Sequence, residues 1–297
     1  MTIMNNTSKN NSILITGATG TIGSELARQL SMAGFNFKAM VRSFNSIGSL
    51  KSLPGSNLVK GDFNDRQSLS AALSGIEKVF LLTNSTEQAE IQQIALVDAA
   101  ISAGVKHIVK LSQFAADIQS PVRYLRYHAA VEQKIIASGI DYTFLRPNLF
   151  MQGLLVFRDP IIHQGKFFAP AGQAKVSLVD IRDIAAVAAR SLTEDGHQGK
   201  IYNLTGPEAL THTALASILS AATSRTIRYM DVTPEDMRNA VLTAGLPTWQ
   251  ADGLIEDYAH YARGEAALIS TDVEAVTGKS PYTFEAFAKE YAHLFSA

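Results

Sequence analysis

The fold of this chain is constrained most by a glycine-rich turn that separates a short apolar segment from an amphipathic one. The segment at 12–16, Ser-Ile-Leu-Ile-Thr, is typical of a strand buried on both faces of a sheet. Gly17, Gly20 and Gly23 follow at three-residue spacing, and apolar residues then recur every four positions, as on one face of a helix. A strand, a glycine turn and a helix in this order predict a dinucleotide-binding unit of an α/β fold.

Each glycine has a separate physical role in such a unit. Gly17 would permit the tight turn, Gly20 would let backbone approach a pyrophosphate, and Gly23 would let the helix pack closely. The helix N-terminus then presents free N–H groups and the positive end of its dipole to the phosphates. A merely structural turn is the alternative, and the flanking strand and helix argue against it. The predicted cofactor-binding residues here are Gly17, Thr19, Gly20, Thr21, Ile22 and Gly23.

Strand and helix patterns alternate through the first half of the chain. The predicted strands are 35–41, 57–60, 78–82, 105–111 and 141–145, and the predicted helices are 66–73, 87–103 and 122–138. This alternation predicts a doubly wound parallel sheet of the Rossmann type in the α/β class.

The pattern loosens after residue 149. Residues 150–175 contain several glycines and prolines and predict an irregular segment or short elements. Segments 176–180 and 200–204 are predicted to return to the sheet, with a helix at 181–192 between them. The remaining predicted elements are helices at 211–222, 234–244, 248–263 and 283–295 and a strand at 227–232.

These patterns predict two structural parts after a disordered tail at 1–11. A dinucleotide-binding Rossmann domain comprises 12–149 and about 176–206. A smaller, mainly helical substrate-binding cap comprises 150–175 and 207–297.

The charge balance argues against a nucleic-acid-binding protein. Lys and Arg total 26 and Asp and Glu total 27, which leaves no basic excess for a phosphate backbone. Cysteine is absent, and the seven histidines show no metal-ligand spacing. No apolar segment reaches the roughly 18 residues of a membrane span, and the N-terminus lacks a signal-peptide core. We expect a soluble cytoplasmic protein without a metal site, a nucleic-acid partner or a membrane partner.

Two positions bear on the choice of cofactor. Arg42 ends the second predicted strand, where NAD-binding proteins commonly place an acid that binds the ribose hydroxyls. A guanidinium there would pair with a 2′-phosphate, which predicts NADPH over NADH, unless Arg42 is an ordinary exposed arginine. Asp62 and Phe63, after the third strand, suit the adenine edge, although Asp62 could equally cap the next helix.

A set of further motifs extends beyond the glycine turn. They lie at 41–42, 61–62, 104–107, 138–147, 179–185, 203–207, 272–274 and 277–278. With this set the chain resembles the NmrA-like branch of the atypical short-chain dehydrogenases. That branch includes NADPH quinone oxidoreductases, triphenylmethane-dye reductases, azoreductases, clavine-alkaloid reductases and redox-sensing regulators.

The resemblance implies further contacts at the carboxyl ends of the strands, where open α/β sheets bind ligands. It places Leu81, Leu82 and Thr83 beside the adenosine and ribose. It places Ser112, Gln113, Pro147, Asn148 and Leu149 beside the nicotinamide. We expect a substrate pocket with an aromatic, Met-containing lining that suits a flat apolar acceptor, although plain core packing is an equal alternative. Its predicted residues are Phe114, Asn148, Phe150, Met151, Leu155, Phe168 and Trp249.

Catalysis is where the chain departs from ordinary short-chain dehydrogenases. Those enzymes use Tyr-x-x-x-Lys, often followed by Glu, and counting back from Glu132 places His128 at the Lys position and Tyr124 at the Tyr position. In one hypothesis His128 and Tyr124 relay and donate a proton. In the other, which we favour, hydride passes directly to an acceptor whose product takes its proton from water.

Two functions therefore follow from the sequence. The first is an NADPH-dependent reductase that transfers hydride to a quinone-like, conjugated aromatic or iminium acceptor, including a biosynthetic variant of that enzyme. The alternative is a non-catalytic NADP(H)-binding redox sensor that acts through a protein partner. A shaped apolar pocket beside the nicotinamide favours the enzyme and a plugged one the sensor. A homodimer is left open.

Overall fold

The strands of the protein follow the apolar segments of its sequence. The computed structural model describes residues 12–45 and 47–296, so the predicted tail at 1–11 lies outside the described residues. In chain order the strands are β1 (Ile13–Ile15), β2 (Phe37–Val41), β3 (Ser56–Lys60), β4 (Lys78–Leu81), β5 (His107–Leu111), β6 (Asp141–Pro147), β7 (Lys166–Ala169), β8 (Lys175–Val176), β9 (Lys200–Leu204), β10 (Leu210–Thr211) and β11 (Arg228–Asp231).

The helices alternate with the strands and then dominate the C-terminal part. They are α1 (Thr21–Met32), α2 (Arg66–Leu73), α3 (Ala89–Ala103), α4 (Arg123–Ser138), α5 (Arg158–Gln164), α6 (Ile181–Thr193), α7 (His212–Thr223), α8 (Pro234–Thr243), α9 (Thr248–Ala262), α10 (Asp272–Thr277) and α11 (Phe284–Tyr291). Short 3₁₀ turns lie at Gly48–Ser52, Met151–Phe157 and Ala292–Leu294. Across the described ranges, no helix is long and apolar enough to cross a bilayer.

Seven strands form one parallel sheet in the order β3-β2-β1-β4-β5-β6-β9. The chain runs outward from β1 in one direction and from β4 in the other, so the connections diverge between these two strands. The predicted doubly wound parallel α/β fold is confirmed.

The prediction that residues 176–180 return to this sheet is wrong. Val176 ends β8, a two-residue strand that pairs antiparallel with β10 instead. Val179 forms only an isolated bridge with Phe150. The position beside β6 is taken by β9, and the segment ends at Asp180, which caps α6 with its carboxylate accepting from the Arg182 N–H.

Each face of the sheet is covered by its own helical layer. Leu26 and Leu30 of α1 pack with Ile184 of α6 on one face. Leu96 of α3 and Val131 of α4 lie in the core on the other face. The sheet is therefore buried on both sides, which explains why its strands are apolar along their length.

A separate core lies in the C-terminal part. It joins Met151 and Phe167, from the segment predicted as irregular, to Phe284 and Phe287 of α11. That segment contains a 3₁₀ turn, α5 and β7, and β7 pairs in parallel with β11. The predicted division into two domains stays a prediction, although the separate cores support it.

Replacing Gly23 with Ala is expected to destabilise the fold by about 1–3 kcal/mol, as overpacking does. A Cβ at Gly23 would lie 2.2 Å from the Gly17 carbonyl oxygen, so α1 would have to move off the turn. The matched control is Gly20→Ala, whose Cβ would lie 3.3 Å from the same oxygen. Urea unfolding measures both variants, and equal midpoints for the two would contradict this account.

Candidate cofactor and substrate cleft

A cleft of about 800 Å³ lies along the carboxyl ends of the central strands. The residues that follow β1, β2, β3, β4, β5 and β6 all contribute to its lining. The sheet order places the turn after β3 at one end and the residues after β6 at the other. The cleft therefore crosses the point where the strand connections diverge, which is where open α/β sheets bind ligands.

The glycine turn forms one wall of this cleft. Gly17 has φ +60°, a left-handed conformation that glycine adopts without steric cost, and its Cα faces Leu82 at close range. Helix α1 begins after Gly20 with no side-chain cap and no acidic residue in its first turn. Its N-terminal N–H groups are therefore available to an anion in the cleft.

Helix α2, unlike α1, has a side-chain cap at its start, and this cap is Asp65 and not Asp62. The Asp65 carboxylate accepts from the N–H groups of Gln67 and Ser68 and so caps α2. Asp62 does not cap the helix; its carboxylate accepts from the Asn64 N–H at 2.9 Å and lines the cleft. The guanidinium of Arg42 is exposed at the cleft and forms no ion pair with any residue that the structure describes.

Most of the predicted cofactor-binding residues line this cleft. They are Gly17, Thr19, Gly20, Thr21, Ile22, Arg42, Asp62, Phe63, Leu82, Thr83, Ser112, Gln113, Pro147, Asn148 and Leu149. Two others lie behind the surface. Gly23 packs under the turn, and the Leu81 side chain is fully buried in the core beneath the sheet. Their predicted cofactor contacts are untested.

The predicted substrate residues divide into two groups. Phe114, Asn148 and Phe150 line the cleft. Met151, Leu155, Phe168 and Trp249 do not. Met151 and Leu155 pack in the C-terminal core, because residues Met151–Phe157 form a 3₁₀ turn whose Gln152 and Gly153 line the cleft instead. Phe168 lies in β7, which is paired with β11, away from the carboxyl ends of the central strands.

Trp249 supports the cleft wall from behind. Its ring centroid lies 5.3 Å from that of Tyr124, and the Arg123 guanidinium lies 5.6 Å from the same indole. The Glu256 carboxylate binds Arg123 at 2.7 Å. The indole therefore belongs to the junction between α4 and α9.

Tyr124 lines the cleft, but its hydroxyl is already engaged. The hydroxyl donates to the Gln250 carbonyl at 2.7 Å. Its ring fills the space that a side chain at Gly253 would need, since a Cβ there would lie 2.4 Å from Cζ. Burial, with a further contribution from Asp257, raises the pKa of the Tyr124 phenol well above its ordinary value. Tyr124 thus connects α4 to α9 through its ring and its hydroxyl, and its phenol stays protonated.

His128 is held from below by a lysine that the sequence did not single out. Lys110 of β5 is fully buried, and its Nζ lies 2.7 Å from His128 Nδ1 and 3.1 Å from the Leu111 carbonyl. An amine that donates to Nδ1 leaves the ring hydrogen on Nε2. Burial lowers the pKa of Lys110 to about 7 and, together with Lys110, lowers that of His128 well below its ordinary value. His128 is therefore a neutral imidazole with an Nε2–H.

A second polar group lies beside this pair. The Ser112 hydroxyl donates to Glu132 Oε1 at 2.5 Å, and Arg146 binds the same carboxylate through Nε at 3.0 Å and Nη2 at 2.5 Å. Ser112 lines the cleft, whereas Glu132 is buried beneath it. The hydroxyl of Ser112 is thus fixed by a charged pair, as a positioned polar contact requires.

Helix α9 supplies the opposite wall, which the sequence had not identified. Asp257, His260 and Tyr261 line the cleft at spacings of three and four residues, which is one helical face. Both carboxylate oxygens of Asp257 accept from the Gln113 amide, at 3.0 and 3.1 Å. The only sequence signal was an acid on the apolar side of a helix, which is too common to identify a site.

No group of three or more potential metal ligands occurs within the described ranges. His107 illustrates why an isolated histidine is uninformative, since its Nε2 lies 2.9 Å from the Thr143 hydroxyl inside the sheet. The functional groups of the cleft therefore include hydroxyls, amides, imidazoles, the guanidinium of Arg42 and the carboxyl groups of Asp62 and Asp257.

Comparison with known proteins agrees with this geometry. A relative from Xenophilus azovorans, an NAD(P)H azoreductase, is 40% identical over 285 residues, which is 96% of this chain and 99% of its own. The Escherichia coli NADPH-dependent quinone oxidoreductase, in its complex with NADPH, has a TM-score of 0.86 and 31% identity, covering 95% of this chain and 99% of its own. The Citrobacter triphenylmethane reductase complexed with NADP(H) has a TM-score of 0.82 and 29% identity, covering 95% and 100%.

The resemblance inferred from the motifs is confirmed by a family model. The model of the NmrA-like family matches residues 9–288, a span that includes both the glycine turn and the α9 wall of the cleft. This chain belongs to the NmrA-like family.

Proposed function

We propose that this protein is an NADPH-dependent reductase that transfers hydride to a quinone-like or conjugated aromatic acceptor. One observation carries the proposal. A single cleft joins the start of α1, which has no side-chain cap, and Arg42, which forms no ion pair with the described residues, to an aromatic wall formed by α4 and α9. The relatives are NAD(P)H-dependent oxidoreductases, and they support the assignment of this protein to that general class of enzyme.

The residues present fit NADPH along the length of this cleft. The N–H groups at the start of α1 would hold the pyrophosphate, and Arg42 would pair with the 2′-phosphate. Leu82 and Thr83 would border the adenosine and ribose, and Ser112 and Asn148 the nicotinamide. When bound, NADPH supplies the hydride and its two electrons.

The acceptor end of the cleft suits a flat conjugated molecule. Phe114, Tyr124, Tyr127, Phe150 and Tyr261 all contribute to this lining. Aromatic side chains hold planar rings by stacking and edge contacts while they exclude water. The open cleft favours the enzyme over the non-catalytic sensor, because a sensor needs no cavity at the reacting end.

The polar groups of this end favour direct hydride transfer over a relay through Tyr124 and His128. The Tyr124 hydroxyl already donates to the cap, and burial raises its pKa. His128 is a neutral imidazole, so it can donate a hydrogen bond from Nε2 but does not carry the extra proton of an imidazolium. In this proposal both residues orient ligands, and the acceptor is reduced by positioning and exclusion of water.

Oxidation of NADPH in the presence of quinones, azo dyes and cationic triphenylmethane dyes tests the proposed function. Turnover is expected with at least one of these classes and to be faster with NADPH than with NADH. Tight NADPH binding without oxidation of any of them would contradict the reductase and favour the sensor or a biosynthetic substrate of other chemistry.

Replacing Arg42 with Asp is expected to weaken NADPH binding by at least about tenfold, because a charge-assisted contact contributes about 1.5–3 kcal/mol. The Kd for NADH should change much less. Fluorescence titration with both nucleotides measures this difference. The control is Arg66→Asp, which removes an exposed positive charge that does not line the cleft. Equal losses for both nucleotides would contradict the assignment of Arg42.

Replacing His128 with Ala is expected to lower kcat by less than about tenfold, whereas loss of a proton relay would cost about 10²–10⁴-fold. The same change should lower the free energy of unfolding by about 1–3 kcal/mol, because the buried Lys110 keeps the Leu111 carbonyl but loses its contact with His128. The double variant His128→Ala/Lys110→Met should recover part of that stability. A loss of kcat within the larger range would restore the relay.

A further inference from the structure

The cap contributes one acid to the acceptor end of the cleft. Asp257 lies on the face of α9 that lines the cavity, and only 7% of its surface is exposed. It contacts Gln113, the residue that follows β5 by two positions and lines the same end. Asp257 is therefore buried, yet it adjoins the space in which an acceptor would lie.

Among the residues that the structure describes, no cation binds this carboxyl. The nearest acidic neighbour on α9 is Glu256, which is itself bound to Arg123 of α4. His260, one turn along α9, bonds Glu265. The other titratable groups that its charge affects are the phenols of Tyr124 and Tyr127 on α4 and of Tyr258 and Tyr261 on α9. An acid in this setting is disfavoured as a carboxylate.

The protonation of Asp257 follows from that setting. Burial is the largest cause and raises its pKa to about 7; the Gln113 amide lowers it in part, and Glu256 raises it further. Near neutral pH the Asp257 carboxyl is therefore partly protonated, whereas an exposed aspartate would be fully ionised. Carboxyls kept neutral in this way are typical of general acids.

We propose that Asp257 donates the proton to acceptors that must gain a proton as well as a hydride. The inference rests on the proposed reductase function. The acceptor gains a hydride, and with it two electrons, from NADPH, and negative charge develops on its oxygen or nitrogen. The O–H bond of Asp257 breaks as that atom takes the proton, and water then reprotonates the carboxylate. Overall, NADPH, one proton and a quinone give NADP⁺ and a hydroquinone. With an azo compound in place of the quinone, the reduced product is a hydrazine.

The chemistry of the acceptor separates this role from a structural one. A quinone or an azo compound requires a proton, whereas a cationic triphenylmethane dye becomes neutral by gaining hydride alone. A residue that only holds Gln113 or the cap would affect both kinds of acceptor equally. A proton donor affects only the first kind.

The test compares Asp257→Asn with wild type and with Asp252→Asn, a control on the same helix whose carboxylate pairs with Arg238 and does not line the cleft. Asp257→Asn should lower kcat for quinone by about 10²-fold, the usual contribution of a general acid, and leave the rate with the dye within about threefold. The wild-type rate with quinone should fall above pH about 7, and this decline should vanish in the variant. Asp252→Asn should match wild type with both acceptors.

Two further measurements test the role of Asp257 without using the activity of a variant, which could be low because of poor folding. In wild type, a solvent isotope effect is expected with quinone and none with the dye. The second is stability against pH. Since the folded pKa lies above the unfolded one, wild type loses stability as pH rises from about 4 to 7, and Asp257→Asn does not. The Tm of the variant should therefore exceed that of wild type more at pH about 8 than at pH about 5.

The outcomes separate this proposal from the function on which it rests. Equal losses with quinone and dye, or no loss with either, would overturn the role of Asp257 while the reductase stands. The absence of an isotope effect with quinone would do the same. A wild-type protein that oxidises NADPH with none of the acceptors would overturn the proposed function, and this role with it. NADPH affinity should be unchanged in Asp257→Asn by fluorescence titration.

Discussion

The close packing of α1 against the glycine turn is the constraint on which the cleft depends. The carbonyl of Gly17 lies where a side chain at position 23 would be, so the first turn of the helix lies directly on the turn that precedes it. This contact fixes the start of α1 at the edge of the sheet, beside the point where the connections of β1 and β4 diverge. The anion-binding end of the helix and the opening between the strands therefore coincide.

The two walls of the cleft differ in how their charged groups are satisfied. Beneath the wall formed by the sheet, Glu132 forms an ion pair with Arg146. In the same wall, Lys110 donates to the neutral His128 and to the Leu111 carbonyl. On the cap side, the donor that the described residues give Asp257 is the amide of Gln113. Buried groups without a counter-ion shift toward their neutral forms. This asymmetry leaves the sheet wall suited to fixing a ligand and the cap wall suited to exchanging a proton.

The sequence predicted those features that depend on local spacing. The glycine turn, the strand–helix alternation and Arg42 at the end of β2 each follow from neighbouring residues, and strand order then brings them to one edge. The pattern failed where long-range pairing decides the outcome. The segment that begins at Val176 is as apolar as a strand of the central sheet, but Val176 pairs with β10. Met151 is as apolar as a pocket residue but is buried in the C-terminal core.

Asp257 shows the same limit for chemistry. Its position on α9 carries no motif, and its raised pKa comes from burial in the folded protein and from Glu256, partly offset by the amide of Gln113, 144 residues away. The pKa of a carboxyl depends on solvent access and neighbouring charge, and neither is encoded by the residues beside it in the chain. Lys110 was missed for a similar reason, since a lysine inside a strand is ordinarily exposed.

The face of α9 that lines the cleft is separate in the fold from the groups suited to the cofactor. Asp257, His260 and Tyr261 face the cleft from α9, whereas the groups suited to the cofactor lie at the ends of the strands and at the start of α1. Changes on one helical face can therefore alter which molecule is accepted without disturbing the nucleotide. In evolutionary terms, α9 is a surface on which new acceptor preferences can arise while the reductant stays the same.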